Sequence, residues 1–133
     1  MRKLLLMLVV CNALISSPVK ASDPSEQFTT MFFTIMVQAS ETWDSTILKE
    51  YIRPQFHAGN EQAYKDMFRK NSSLGKLKSC NDLELTEIDK LDFLVRIVKS
   101  VCQFENGNAL VQNIYRSENS DNELMGLIIK RLP

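Results

Sequence analysis

The sequence predicts an α+β domain in which N-terminal helices pack on a curved antiparallel sheet. Three observations predict it. Apolar residues recur at helical spacing behind capping residues through the first half, short alternating runs take over after Leu74, and an Asn106-Gly107 corner separates two long β-rich runs.

The chain starts MRKLLLMLVVCNALISSPVKA, with Arg2 and Lys3, then the apolar run Leu4 to Val10, then Pro18 and a small-residue end. That order reads as a secretory signal peptide cut after Ala21. The apolar run is shorter than the roughly 20 residues that span a bilayer. A lipoprotein reading, with Cys11 acylated, meets a bulky Val10 where a small residue is wanted. Residues 1–21 are therefore set apart, and residues 22–133, 112 in number, form a single domain. Arg2, Lys3 and Lys20 depart with the leader, so 13 basic and 16 acidic residues remain and the formal charge is −3. No basic run or stripe marks the chain, which argues against a nucleic-acid partner.

Asp23-Pro24-Ser25-Glu26 is a helix start, with Asp23 as cap and Glu26 closing a capping box. Behind it Phe28, Phe32, Ile35, Met36 and Ala39 share one face, giving a first helix over residues 24–39. Asp44 caps a shorter second helix carrying Ile47, Leu48, Tyr51 and Ile52, which Arg53-Pro54 stops. Residues 55–59 form a link that holds the only histidine, His57, as a surface loop residue. A third helix begins near Asn60, shows Ala63, Tyr64, Met67 and Phe68 at helical spacing, and fades at Asn71.

Strands follow. Leu74 to Cys80 alternates, Leu83, Leu85 and Ile88 allow a short second strand, and Leu91 to Glu105 is a long one. Asn106-Gly107 turns it into the strand Asn108 to Ser117 through a type I′ hairpin. A looser turn at 118–122 leads to the last strand, Glu123 to Leu132. With that turn Cys102 faces Val111, and period two puts Leu94, Val98, Cys102, Phe104, Ala109, Val111 and Tyr115 on one face. Val101, Gln103, Leu110 and Gln112 occupy the other, a mixed surface able to meet another chain.

After the cut two cysteines remain, Cys80 and Cys102, an even pair in a chain sent to an oxidising compartment. A disulfide between them is expected to be worth about 3 kcal/mol; two buried free thiols are the alternative. A Cys102–Glu105 catalytic couple is disfavoured because residues of opposite parity on a strand aim at opposite faces, and no base lies near in sequence.

The helix order, Trp43-Asp44 followed by Leu48 and Tyr51, the Leu74-Gly75-Lys76-Leu77 entry to the sheet and Cys102-Gln-Phe-Glu-Asn-Gly107 resemble small exported bacterial proteins of uncharacterised function. These have the cystatin-like cone known as the nuclear transport factor two-like fold. The resemblance covers about residues 24–132. It implies a sheet curled around the first helix to leave a pocket, in a fold whose members include isomerases, dehydratases, ligand binders, secretion subunits and dimers. Fold alone does not choose among them.

From the aromatic set, Tyr51, Tyr64, Phe68 and Tyr115 are assigned as ligand-binding candidates lining an apolar pocket, against the plainer reading that they are core. No catalytic residue is assigned. No zinc spacing occurs around a single histidine, and the acidic stretch Asp82 to Asp92 lacks an ordered calcium loop, so no metal is expected. GxGxxG, Walker and GxSxG motifs are absent, and no cofactor is expected. The sequon at Asn71 has no meaning in a bacterial chain.

The expectation is thus a periplasmic or secreted, non-catalytic domain that binds a small apolar ligand or a protein partner, with a homodimer through the mixed sheet face. One alternative is an isomerase- or dehydratase-like enzyme with a pocket carboxylate or His57 as general base. Another is a subunit of an envelope assembly.

Overall fold

The computed structural model describes residues 20–22, 24–118 and 121–133. The leader up to Val19, the Asp23 cap and the hairpin tip at 119–120 lie outside the described residues.

A short strand β1 (Lys20–Ser22) precedes helix α1 (Glu26–Thr42), which buries Phe28, Phe32, Ile35, Met36, Ala39 and Ser40 along one stripe. The helix runs three residues past its expected end because that stripe continues. Ser40 is buried beside Ala39, and its Oγ accepts the Leu77 N–H at 3.0 Å. Trp43 closes α1 in the left-handed region at φ 52°, where a bulky residue is strained. Tertiary contacts hold it there: Nε1 donates to Gly75 O at 3.0 Å, and the indole packs edge-on against Phe68, 5.6 Å between centroids.

Asp44 caps as expected, its carboxylate accepting from Thr46 N at 3.0 Å and Thr46 Oγ1 at 2.8 Å, which holds its pKa below the ordinary carboxylate value. The segment it caps, Ser45–Glu50, is 3₁₀ rather than α. Pro54 does not end the helical region. It opens the short helix α2 (Pro54–His57), since a first-turn residue needs no N–H and proline's φ already suits. His57, expected in a surface loop, is buried and stacked on Tyr64 at 5.6 Å. Helix α3 (Glu61–Asn71) follows.

The sheet is antiparallel and open. Its strands are β2 (Leu77–Cys80), β3 (Glu84–Asp89), β4 (Leu94–Phe104), β5 (Gly107–Glu118) and β6 (Asp121–Arg131). The order is β1-β3-β4-β5-β6, with β2 and β3 lying end to end along the same side of β4. At their junction Ser100 Oγ donates to Asn81 O at 2.7 Å and Asn81 N–H to Val101 O at 2.9 Å, so the break strands neither group. The core is the inner sheet face (Val98, Cys102, Phe104, Val111, Tyr115) against the α1 stripe.

The hairpin is corrected in register. Phe104 pairs with Gly107 and Cys102 with Ala109, so the loop residues are Glu105 and Asn106. Asn106 does not take positive φ, so the turn is not type I′. The turn is decided by what it docks on. Lys76 N–H donates to Glu105 Oε1 at 2.8 Å, Glu105 N–H to Lys76 O at 3.0 Å and Asn106 N–H to Leu74 O at 2.9 Å. Gly75 makes room for it at φ 79°, since a Cβ there would meet Glu105 Oε1 at 2.8 Å. Moving Cys102's partner by two residues keeps every side chain on its expected face. Cys80 and Cys102 are directly paired and disulfide-bonded, S–S 2.08 Å.

Candidate functional site

The four aromatic candidates do not converge. Tyr51 lines a surface cleft of about 470 Å³ with Gln27 and Met31, its hydroxyl bonded to Gln38. Tyr64 lines a separate cleft of about 300 Å³ with Met67, Ile114 and Ile128. Phe68 is buried against Trp43, and Tyr115 is buried on β5 with its ring edge-on to Phe28 at 4.8 Å. Helical spacing correctly places Tyr64 and Phe68 on the inward side of α3, but that side meets two different neighbours.

Tyr64 has a different task. With Met67 and Asn71, one and two turns further on, it forms a single face of α3 laid against the outer edge of β6. The Tyr64 hydroxyl donates to Met125 O at 3.4 Å, Asn71 Nδ2 donates to Ile129 O at 3.3 Å, and Ile129 N–H meets Met67 Sδ at 3.2 Å. The backbone of Leu127 favours the ionised form of the same phenol. Burial nevertheless pushes the Tyr64 pKa up. The spacing 64, 67, 71 was the available signal for this edge cap, but nothing local says that the helix covers a strand edge.

Deep on the inner face, β5 carries a polar pair that sequence reasoning passed over. Asn113 is fully buried, its Nδ2 donates to the Tyr115 hydroxyl at 3.3 Å, and its Oδ1 has no partner among the described residues. Burial raises the Tyr115 pKa, opposed by the hydrogen bond from Asn113. An amide at core parity between Val111 and Tyr115 was the signal. Because both partners of a buried pair can be replaced at little cost, the double variant Asn113→Leu/Tyr115→Phe is expected to match or exceed the parent's stability by up to about 1 kcal/mol. Tyr115→Phe alone, which leaves the amide unpaired, should cost about 1 kcal/mol; urea unfolding of the three proteins checks both statements.

At one end of the inner face Arg96 gathers a second network. Its Nε donates to Glu87 Oε2 at 3.0 Å and its Nη1 to Ser117 Oγ at 3.0 Å and Asn122 Oδ1 at 2.9 Å. The guanidinium ties β3, β4, β5 and β6 together. No Asp or Glu is among the buried residues of the described chain, and His57 faces Tyr64 rather than the Asn113–Tyr115 pair. No group of three or more His, Cys, Asp or Glu side chains able to hold a metal ion occurs among the described residues.

The outer sheet face carries apolar side chains that are not part of the core cluster. Val95, Ile97, Val101, Leu110 and Ile114 are half-buried there, outside the core cluster, and Ile128 is 44% exposed. Registers place Ile97 opposite Ile114 and Val101 opposite Leu110, an apolar band across β4 and β5 that the pair Lys99–Gln112 interrupts between them. Charges around it are already paired: Lys99 with Glu84 at 3.9 Å, Arg116 with Glu118 at 3.4 Å and Arg53 with Glu123 at 2.8 Å. Arg116 also lies over the Phe93 ring at 4.1 Å. Covering the band would therefore strand no unpaired charge among these groups.

Comparison of the chain with protein-family models, with curated proteins and with solved structures finds no match. No helix among the described residues is long and apolar enough to cross a membrane.

Proposed function

We propose that this chain is an exported, non-catalytic binding domain of nuclear transport factor two-like type, cut after Ala21 and working in the periplasm or outside the cell. Its partner surface is the outer sheet face, and the partner is first of all a second copy of the chain. The observation that carries this reading is the outer-face set Val95, Ile97, Val101, Leu110 and Ile114, which lies outside the core cluster and whose central charge, Lys99, is met by Glu84. Burying apolar area without desolvating a lone charge favours association. The Cys80–Cys102 disulfide supports an oxidising compartment.

Sedimentation of the exported protein over a broad concentration range should show a monomer–dimer equilibrium. Ile97→Lys, within the band, should shift it at least about tenfold toward monomer, since an interface-core charge costs more than about 1.4 kcal/mol. A parent protein that stays monomeric at high concentration overturns the dimer.

A further inference from the structure

The two edges of the sheet are protected in different ways. On β6 the cap is part of the fold, since Tyr64, Met67 and Asn71 of α3 meet Met125 O, Ile129 N–H and Ile129 O. Ile52 adds a parallel bridge to Leu124. An extended chain cannot add there without displacing the helix.

On β3 the situation is otherwise. Lys90 N–H donates to Phe93 O at 2.9 Å in the turn between β3 and β4, and Asp89 pairs with Leu94. Backbone groups alternate sides along a strand, so Glu84, Thr86 and Ile88 bond to β4 while Leu85 and Glu87 turn their N–H and C=O outward. Among the described residues those groups are met by β1 alone, in the register Lys20 to Glu87, Ala21 to Thr86 and Ser22 to Leu85. Lys20 and Ala21 lie upstream of the cut. Cleavage that leaves Ser22 as first residue therefore removes the cover from this edge and from no other.

We propose that leader removal opens β3 as a docking edge for an extended basic segment of a partner chain, which adds as an antiparallel strand in the place of β1. The inference rests on the cut after Ala21 proposed above. Strand addition supplies backbone hydrogen bonds, and side chains facing the edge supply the choice of partner. The edge is acidic. Glu84, Glu87 and Asp89 lie on β3, with Asp82, Lys90 and Asp92 beside it; Arg96 meets Glu87 and Lys99 meets Glu84, and with Lys90 counted two carboxylates remain in excess. A second copy pairing β3 with β3 would bring like charges together, which disfavours it. The residue that the fold itself sets opposite Glu87 is a lysine, Lys20.

The test compares the chain isolated after export with the full-length chain made without export and then oxidised, so that both carry the Cys80–Cys102 bridge, by mass and by amide hydrogen exchange. Leu85 and Glu87 amides should exchange at least about tenfold faster in the processed chain, while Leu127 and Ile129 stay equally protected in both. The synthetic peptide Ser-Pro-Val-Lys-Ala-Ser, residues 17–22, should restore protection at β3, and its Lys20→Glu version should do so at least about tenfold less well. Equal protection of Leu85 and Glu87 in both forms overturns the opened edge. An open edge that ignores the peptide, or takes the acidic version as readily, overturns the basic partner, as does protection that grows with protein concentration alone. An exported chain whose mass retains residues 1–21 instead overturns the leader reading and, with it, the vacated edge.

Discussion

Phe32→Ala should lower the unfolding free energy by about 3–5 kcal/mol, the largest effect of any single substitution considered for this chain. Phe32 is fully buried at the middle of the α1 stripe, flanked a turn away on each side by Phe28 and by Ile35 and Met36. The stripe is what fixes the helix to the inner sheet face, where Val98, Val111 and Tyr115 form the facing wall. Removing the ring leaves a cavity that rigid strands cannot close, because the disulfide and three long ladders hold the sheet in place. Urea unfolding followed by circular dichroism measures the loss. A cost below about 1 kcal/mol would mean that α1 does not pack on the sheet in this way.

Replacing both cysteines, Cys80→Ala with Cys102→Ala, is expected to cost about 3 kcal/mol. The bridged residues are 22 apart, so the cross-link removes the entropy of a loop of that size from the unfolded chain. The native strand also depends on it locally. β2 is four residues long and irregular between Leu77 and Ser79, and beyond the disulfide it is tied to the helices through the Leu77 N–H bond to Ser40. Loss of the bridge should therefore raise amide exchange at Ser79 and Cys80 before the rest of the sheet. Matched urea midpoints for the bridged and bridge-free proteins, with the same exchange at β2, would contradict both statements. A domain this small holds only a modest reserve of stability, so either change is a large fraction of it.

Much of this architecture is legible in the chain. The α1 stripe from Phe28 to Ala39, the Asp44 cap, the α3 face and the parity of β4 and β5 are all local, set by periods of 3.6 and 2 and by one side chain accepting from its own next turn. The cysteine pairing also follows, because the two residues are the even pair left in an oxidised chain. Positions that needed a distant partner were misread. Asn106-Gly107 has the local form of a type I′ turn, yet Lys76 and Leu74 bind the Glu105-Asn106 backbone and shift the loop by one residue. Arg53-Pro54 does stop the segment before it, but Pro54 also starts α2, which packs against β6. Tyr64 lines a cleft, and what its position in the sequence does not show is that it also meets the edge of β6. The leader read as separate from the fold, yet its last two residues, with Ser22, occupy the edge of β3.

Periodicity, capping chemistry and the cysteine pair were thus enough to establish the α+β class, the order of elements and which residues face inward, because each depends on interactions within a few positions. Which strand edge a helix seals and which the short strand Lys20–Ser22 covers, and where an apolar band stays outside the core, depended on packing between residues far apart in sequence. Those long-range choices, made by Tyr64, Met67 and Asn71 against β6 and by Lys20 to Ser22 against β3, are the ones that bear on what the protein meets.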